Sequence, residues 1–128
     1  MAIAHLTFAC RDIERSAAFL EAVMAWPRAP IPENAEGCVV WLKIADGQEL
    51  HIIRVDDFEP SSFEREYGRH LAIAVDSDEM AAIKTRLTAH DSPIMPPIRP
   101  TPHERFFFRE PNGYVIEVIN ADQFVPGG

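Results

Sequence analysis

The pentapeptide His5-Leu6-Thr7-Phe8-Ala9 returns as His70-Leu71-Ala72-Ile73-Ala74, 65 residues further along the chain. An acidic residue follows each copy, Asp12 and then Asp76, and opens a segment with helical spacing. Asp46-Gly47 likewise returns as Asn112-Gly113, at an offset of 66. Four residues past each glycine stands a side chain able to bind a metal, His51 in the first half and Glu117 in the second. Two separate matches at nearly one offset, in a chain of 128 residues, read as the duplication of a module of about 60 residues.

Each copy reads in the same order. Residues 3–9 and 69–75 alternate in side-chain type and are rich in strand formers, so both are expected as strands. Asp12 is placed to cap a helix through Met24, with Ile13, Ala17, Leu20 and Met24 along one face. Asp76 or Ser77 caps its counterpart, where Met80, Ile83 and Leu87 share a face and Glu79 completes a capping box. Clusters of proline follow each helix and stop it. Two strands then close each module as hairpins, 37–44 with 48–55 and 104–110 with 114–120, because Asp-Gly and Asn-Gly are strong hairpin turns. A short further strand is expected among the prolines of each half. The expected order is β-α-β-β-β, twice, with modules at about 1–56 and 68–122 joined by a linker at 57–67.

Composition bounds the function. Apolar residues make up 47% and charged residues 25%, the balance of a globular domain. Twelve Lys and Arg against 20 Asp and Glu give a formal charge of −8, which argues against nucleic acid and anionic membrane surfaces as partners. No apolar run has the length of a membrane span. Cys10 and Cys38 are too few for a secreted disulfide framework, so a cytoplasmic protein is expected.

Strand parity places the chemistry. Leu6 and Phe8 share one face of the first strand, His5, Thr7 and Ala9 the other. In the repeat Leu71, Ile73 and Val75 oppose His70, Ala72 and Ala74. The larger apolar face belongs under the helix, which leaves each histidine among small residues, as suits a cleft with room for a ligand. A lone strand histidine is more often structural than a ligand. Here His5 and His51 from one module have counterparts in His70 and Glu117 of the other, and symmetric pairing of the modules would bring the four together. Three imidazoles and a carboxylate suit one divalent ion of iron, manganese, nickel, cobalt or zinc. His5, His70 and Glu117 alone would form a 2-His-1-carboxylate set, with His51 as a fourth ligand and two octahedral positions open.

The segments 5–23, 47–53, 69–82 and 105–119 resemble the vicinal oxygen chelate superfamily. That group includes glyoxalase I, methylmalonyl-CoA epimerase, extradiol dioxygenases and the fosfomycin and bleomycin resistance proteins. The strongest signature is Phe107-Phe108-Arg109-Glu110-Pro111-Asn112-Gly113-Tyr114-Val115-Ile116-Glu117, similar to the family's final hairpin with its ligand glutamate. The resemblance implies an α+β fold of two βαβββ modules forming an open mixed sheet around a cleft, paired within one chain or across a homodimer. It implies His5, His51, His70 and Glu117 as ligands of one divalent metal ion, with Glu117 also the catalytic group that moves a proton. His51 falls where glyoxalase I of the bacterial type has glutamate, which would make the site one unit more positive. Ala9 stands where that enzyme has a glutathione-binding arginine. The run Val118-Ile119-Asn120-Ala121-Asp122 lacks the basic residues that fosfomycin-resistance enzymes carry near the final ligand.

The implied activity is that of a metal-dependent isomerase or lyase that chelates neighbouring oxygens of a small anionic or carbonyl substrate and stabilises an enolate. The alternatives are an extradiol-type dioxygenase and a metal-free drug- or metabolite-binding resistance protein. His103 and Arg105, on the approach to the last hairpin, are candidate substrate contacts, although a solvated loop is the simpler reading of His103. His90 ends the second helix, where a cation suits the dipole. Trp26, Trp41 and Phe106 to Phe108 read as packing, and Arg54 and Arg109 as solvated.

Overall fold

The computed structural model describes all 128 residues, Met1–Gly128. The elements are β1 (His5–Cys10), α1 (Ile13–Met24), β2 (Val39–Ala45), β3 (Gln48–Arg54), β4 (Leu71–Val75), α2 (Ser77–Ala89), β5 (Arg105–Arg109) and β6 (Val115–Asn120). The chain divides into two compact units, Met1–Glu59 and Pro60–Gly128. Each holds one helix and one three-stranded mixed sheet, ordered β1-β3-β2 in the first and β4-β6-β5 in the second. No helix is long and apolar enough to cross a membrane.

In both units the first strand runs parallel to the last, and the hairpin partner is antiparallel. A parallel pair needs a crossover, and the helix supplies it. The registers are equivalent. Thr7 pairs with His51 and Ala72 with Glu117, while Trp41 lies across from His51 and Phe107 across from Glu117. The repeat read in the sequence is therefore a repeat of register.

Asp12 caps α1 by accepting from the Arg15 amide at 3.1 Å, and Asp76 caps α2 by accepting from the Glu79 amide at 2.8 Å. In the first unit Ala17, Leu20 and Val23 meet Phe8, Leu42, Leu50 and Ile52 in a fully buried core. Its counterpart is built from Met80, Ile83 and Leu87 with Phe106, Phe108, Ile116 and Val118. The hairpin turns use Gly47 at φ +72 and Gly113 at φ +99, conformations that other residues adopt only under strain.

The first helix runs to Met24 as expected and closes on Ala25, in the left-handed conformation with φ 56. Two details depart from the sequence reading. The fourth strand of each module shrinks to a bridge. Pro27 and Ala29 bond the backbone of Lys43 and Trp41, and Met95 exchanges two bonds with Phe107, because prolines on either side remove the donors that would extend a ladder. The second repeat strand begins at Leu71 rather than 69. The backbone of Arg69 instead bonds back to Phe63 and Arg65, so the preceding loop claims it and His70 stands just outside the ladder.

Loss of the cap in Asp76→Ala is expected to cost about 1 kcal/mol in urea unfolding. Ala25→Gly should gain about 0.5–1 kcal/mol by relieving the left-handed residue. Opposite signs in the same assay would verify both ends.

Candidate functional site

Strand parity places the predicted ligands in pairs. In the first unit His5 opens β1 and His51 lies mid-β3, their rings stacked at 4.2 Å and 11°. On its other face His51 stacks on Trp41 at 3.9 Å and 5°. Its Nε2 lies 2.7 Å from Glu49 Oε2. A carboxylate only accepts, so Nε2 carries a hydrogen in this contact. Carboxylate–imidazole pairing of this kind orients histidine ligands in metal sites. Parallel rings present their nitrogens in parallel planes, so an ion shared by His5 and His51 requires one ring to turn. His5 is exposed and has room to do so.

In the second unit His70 Nδ1 lies 3.2 Å from the Arg65 carbonyl oxygen, and its Nε2 lies 3.0 Å from Glu117 Oε2. Both partners are pure acceptors. With Nδ1 donating to the carbonyl, the contact between Nε2 and Oε2 calls for a hydrogen or a cation between them. Glu117 is only 6% exposed. Its second oxygen, Oε1, accepts from Arg105 Nη1 at 2.8 Å. Arg105 has a side chain 4% exposed. Its Nη2 donates to Glu66 Oε1 and to the Arg99 carbonyl, while its Nε is buried without a partner. Glu66 in turn accepts from the amides of Ile98 and Arg99. Burial opposes the charge on Glu66, but those two amides and the Arg105 guanidinium outweigh it and hold its pKa below the usual 4.5. Burial also opposes the charge on Arg105, and Glu117 and Glu66 together raise its pKa in spite of that.

The structure thus brings His5 to His51 and His70 to Glu117. It forms no group of three or more His, Cys, Asp or Glu side chains ready to hold an ion. The donor chemistry nevertheless fits one. His51 has one nitrogen held by a carboxylate, His70 has Nδ1 held by a carbonyl while Nε2 faces Glu117, and Glu117 has its other oxygen fixed by a guanidinium. These are the outer contacts that orient metal ligands.

The other sequence candidates lie differently. His103 is not a solvated loop residue: it is 5% exposed, its ring meets Phe124 edge-on at 5.2 Å, and its Nδ1 is buried without a partner. The C-terminal segment covers it. Arg105 is engaged by two carboxylates rather than presented to solvent. Trp41 does more than pack, since it forms one wall of the His51 stack. Sequence reading missed Glu49 as the partner of His51, and Glu66 and the Arg65 carbonyl as supports of the second pair. Glu49 was within reach, because two positions along a strand place it on the same face as His51.

The family model described as the Glyoxalase/Bleomycin resistance protein/Dioxygenase superfamily matches residues 2–118. A comparison with curated proteins finds no match. Among solved structures, a putative glyoxalase family protein from Bacillus anthracis is 24% identical with a TM-score of 0.78, over 94% of each chain. The fosfomycin resistance protein FosX from Mesorhizobium loti is 22% identical with a TM-score of 0.70, over 94% of this chain and 92% of that one. A glyoxalase/dioxygenase from Nostoc punctiforme is 19% identical with a TM-score of 0.77, over 93% and 90%. At these identities the likeness is one of fold.

Replacing Glu66 by Gln is expected to destabilise the protein at neutral pH by about 2 kcal/mol, since Arg105 stays buried with one charged partner fewer. Glu66 ionises more readily folded than unfolded, so its contribution is complete above pH 4.5 and fades as pH falls through its lowered folded pKa. The gap between parent and variant should therefore narrow on acidification. Urea unfolding from neutral pH downward measures it; a gap that widens would refute the assignment.

Proposed function

Because the chain belongs to the Glyoxalase/Bleomycin resistance protein/Dioxygenase superfamily, we propose that it is a divalent-metal-dependent enzyme of the glyoxalase type. It acts as an isomerase or lyase on a small anionic or carbonyl substrate. The ligands are His5 and His51 of one module with His70 and Glu117 of the other, paired within a chain or across a cytoplasmic homodimer. The observation that carries this reading is the 3.0 Å contact of His70 Nε2 with Glu117 Oε2, when the other ring nitrogen already faces a carbonyl. Two acceptors so placed call for a proton or a metal ion between them.

Iron, manganese, nickel, cobalt or zinc suits the set of three imidazoles and one carboxylate, and the bound ion would act as a Lewis acid on neighbouring substrate oxygens, stabilising enolate charge. The chain's own residues do the rest. The Arg65 carbonyl fixes the His70 ring, and Glu49 fixes that of His51. Arg105 fastens Glu117 through Oε1, in the orientation in which its carboxylate would help to hold the ion or carry a proton. A carboxylate is suited to that shuttle, and Glu117 is the only one among the four ligands.

A second reading is a metal-free binding protein of the bleomycin-resistance kind. It draws on Arg105 and His70, which together engage both oxygens of Glu117 without any ion.

Elemental analysis of untagged protein purified without chelator separates the two. The enzyme reading expects about one divalent ion per chain, and none in a His5→Ala, Glu117→Ala variant whose circular dichroism matches the parent. Iron would move the reaction toward ring-opening oxygenation; zinc, nickel, cobalt or manganese would favour isomerase or lyase chemistry. No ion, even after incubation with each of these metals, would sink the enzyme reading and leave the binding protein.

A further inference from the structure

The face of the β5–β6 hairpin that carries Glu117 also carries a cavity. Phe107 lies directly across from Glu117, and Arg109 across from Val115. Directly opposed residues of an antiparallel pair point to one side, and residues two apart do the same. Arg105, Phe107, Arg109, Val115 and Glu117 therefore share a face. His70 meets the Phe107 ring edge-on at 5.4 Å, and beside that ring opens a cavity of about 150 Å³. Its apolar walls are Met95, Pro96, Ile98, Phe107 and Val115.

Size and charge define what fits. A cavity of roughly 150 Å³ with apolar walls accepts a benzene-sized group. Three charged residues also line it, Arg65, Glu66 and Arg109. The Glu66 carboxylate is already engaged by two amides and Arg105. The guanidinium of Arg109 donates to the carbonyls of Gly113 and Glu64, and that of Arg65 lies 5.5 Å from the Phe63 ring. Neither arginine is paired with a carboxylate. In a chain of formal charge −8, this pocket keeps two cations whose charge nothing in contact cancels.

We infer that the cavity lined by Met95, Ile98, Phe107 and Val115 binds a small aromatic carboxylate, its ring between the apolar walls and its anionic group toward Arg65 and Arg109. As the substrate pocket of a metal enzyme this rests on the function proposed above. As a binding site it stands on the second unit alone, and it is tested with metal absent.

The probes are benzoate, its neutral isostere benzamide, and acetate, each titrated into the full-length chelator-treated protein. Methyl and backbone NMR shifts of Met95, Ile98 and Val115 are followed. Benzoate is expected to shift all three residues in a saturable way, with acetate at least tenfold weaker because it lacks the ring and benzamide weaker because it lacks the charge. Arg65→Gln, at an exposed position, should weaken benzoate roughly three- to tenfold and leave benzamide unchanged. Ile98→Trp, at a residue 75% exposed, should weaken both ring compounds without disturbing the fold. Absence of shifts at millimolar benzoate, or shifts confined to residues away from the cavity, would overturn the site. Equal binding of benzoate and benzamide, or of benzoate and acetate, would overturn the ligand class. Benzoate binding in a protein that takes up no metal would leave the pocket standing while the enzyme reading falls, and metal uptake without benzoate binding would do the reverse.

Discussion

The parallel pairing of β1 with β3 and of β4 with β6 is the constraint on which the rest of each module depends. Parallel strands cannot be joined by a tight turn, so a helix must cross between them, and its apolar face must then cover one side of the sheet. That settles which side of every strand is core. Phe8, Leu50 and Ile52 turn toward α1, while Thr7 and His51 are left opposite. In the second module Ile116 and Val118 are core and Glu117 faces away from it. A shift of one residue in either register would carry His51 or Glu117 into the apolar core. Chain topology and the position of the candidate ligands are in this sense one fact.

On that shared frame the two halves have diverged. Where the first module has Val39, Trp41 and Glu49, the second has Arg105, Phe107 and Val115, each 66 residues on. The first half holds its histidine by stacking, the second holds its carboxylate by charge. Burying Arg105 is costly, and its two carboxylate partners outweigh that cost, since they raise its pKa in spite of burial. Its consequence is positional. The guanidinium ties Glu117 to Glu66 in the loop before β4 and, through Glu66, to the amides of Ile98 and Arg99. Arg65, next to Glu66 in the chain, receives the hydrogen of His70. Neighbouring residues of one loop therefore fix both members of the His70–Glu117 pair.

Much of this was legible in the sequence because it is local or repeated. Asp12 and Asp76 announce helix starts through a bond only three residues long, and Asp46-Gly47 and Asn112-Gly113 announce turns through backbone geometry alone. Parity sets His5 and His70 on the strand face away from the helix, and the repeat makes His51 and Glu117 counterparts of each other. What resisted reading depends on irregular segments. Glu66 meets Arg105 across 39 residues, from a loop that has no period to follow. The stack of Trp41 on His51 needs the register between two strands, which hydrophobic alternation fixes only to the nearest pair of residues. The short strands expected among the prolines survive as single bridges, since a residue without an N–H cannot extend a ladder.

The stack of Trp41 on His51 gives the first half of the candidate site an optical signature. Excited indole loses its energy to an imidazole ring in van der Waals contact, more efficiently when that ring carries a second proton. The chain has two tryptophans. Trp26 is buried in the first unit, and Trp41 is the one lying 3.9 Å from a histidine that Glu49 holds in place. Anything that turns, protonates or ligates His51 therefore changes the emission of Trp41. The protein carries its own fluorophore against one of the four candidate ligands.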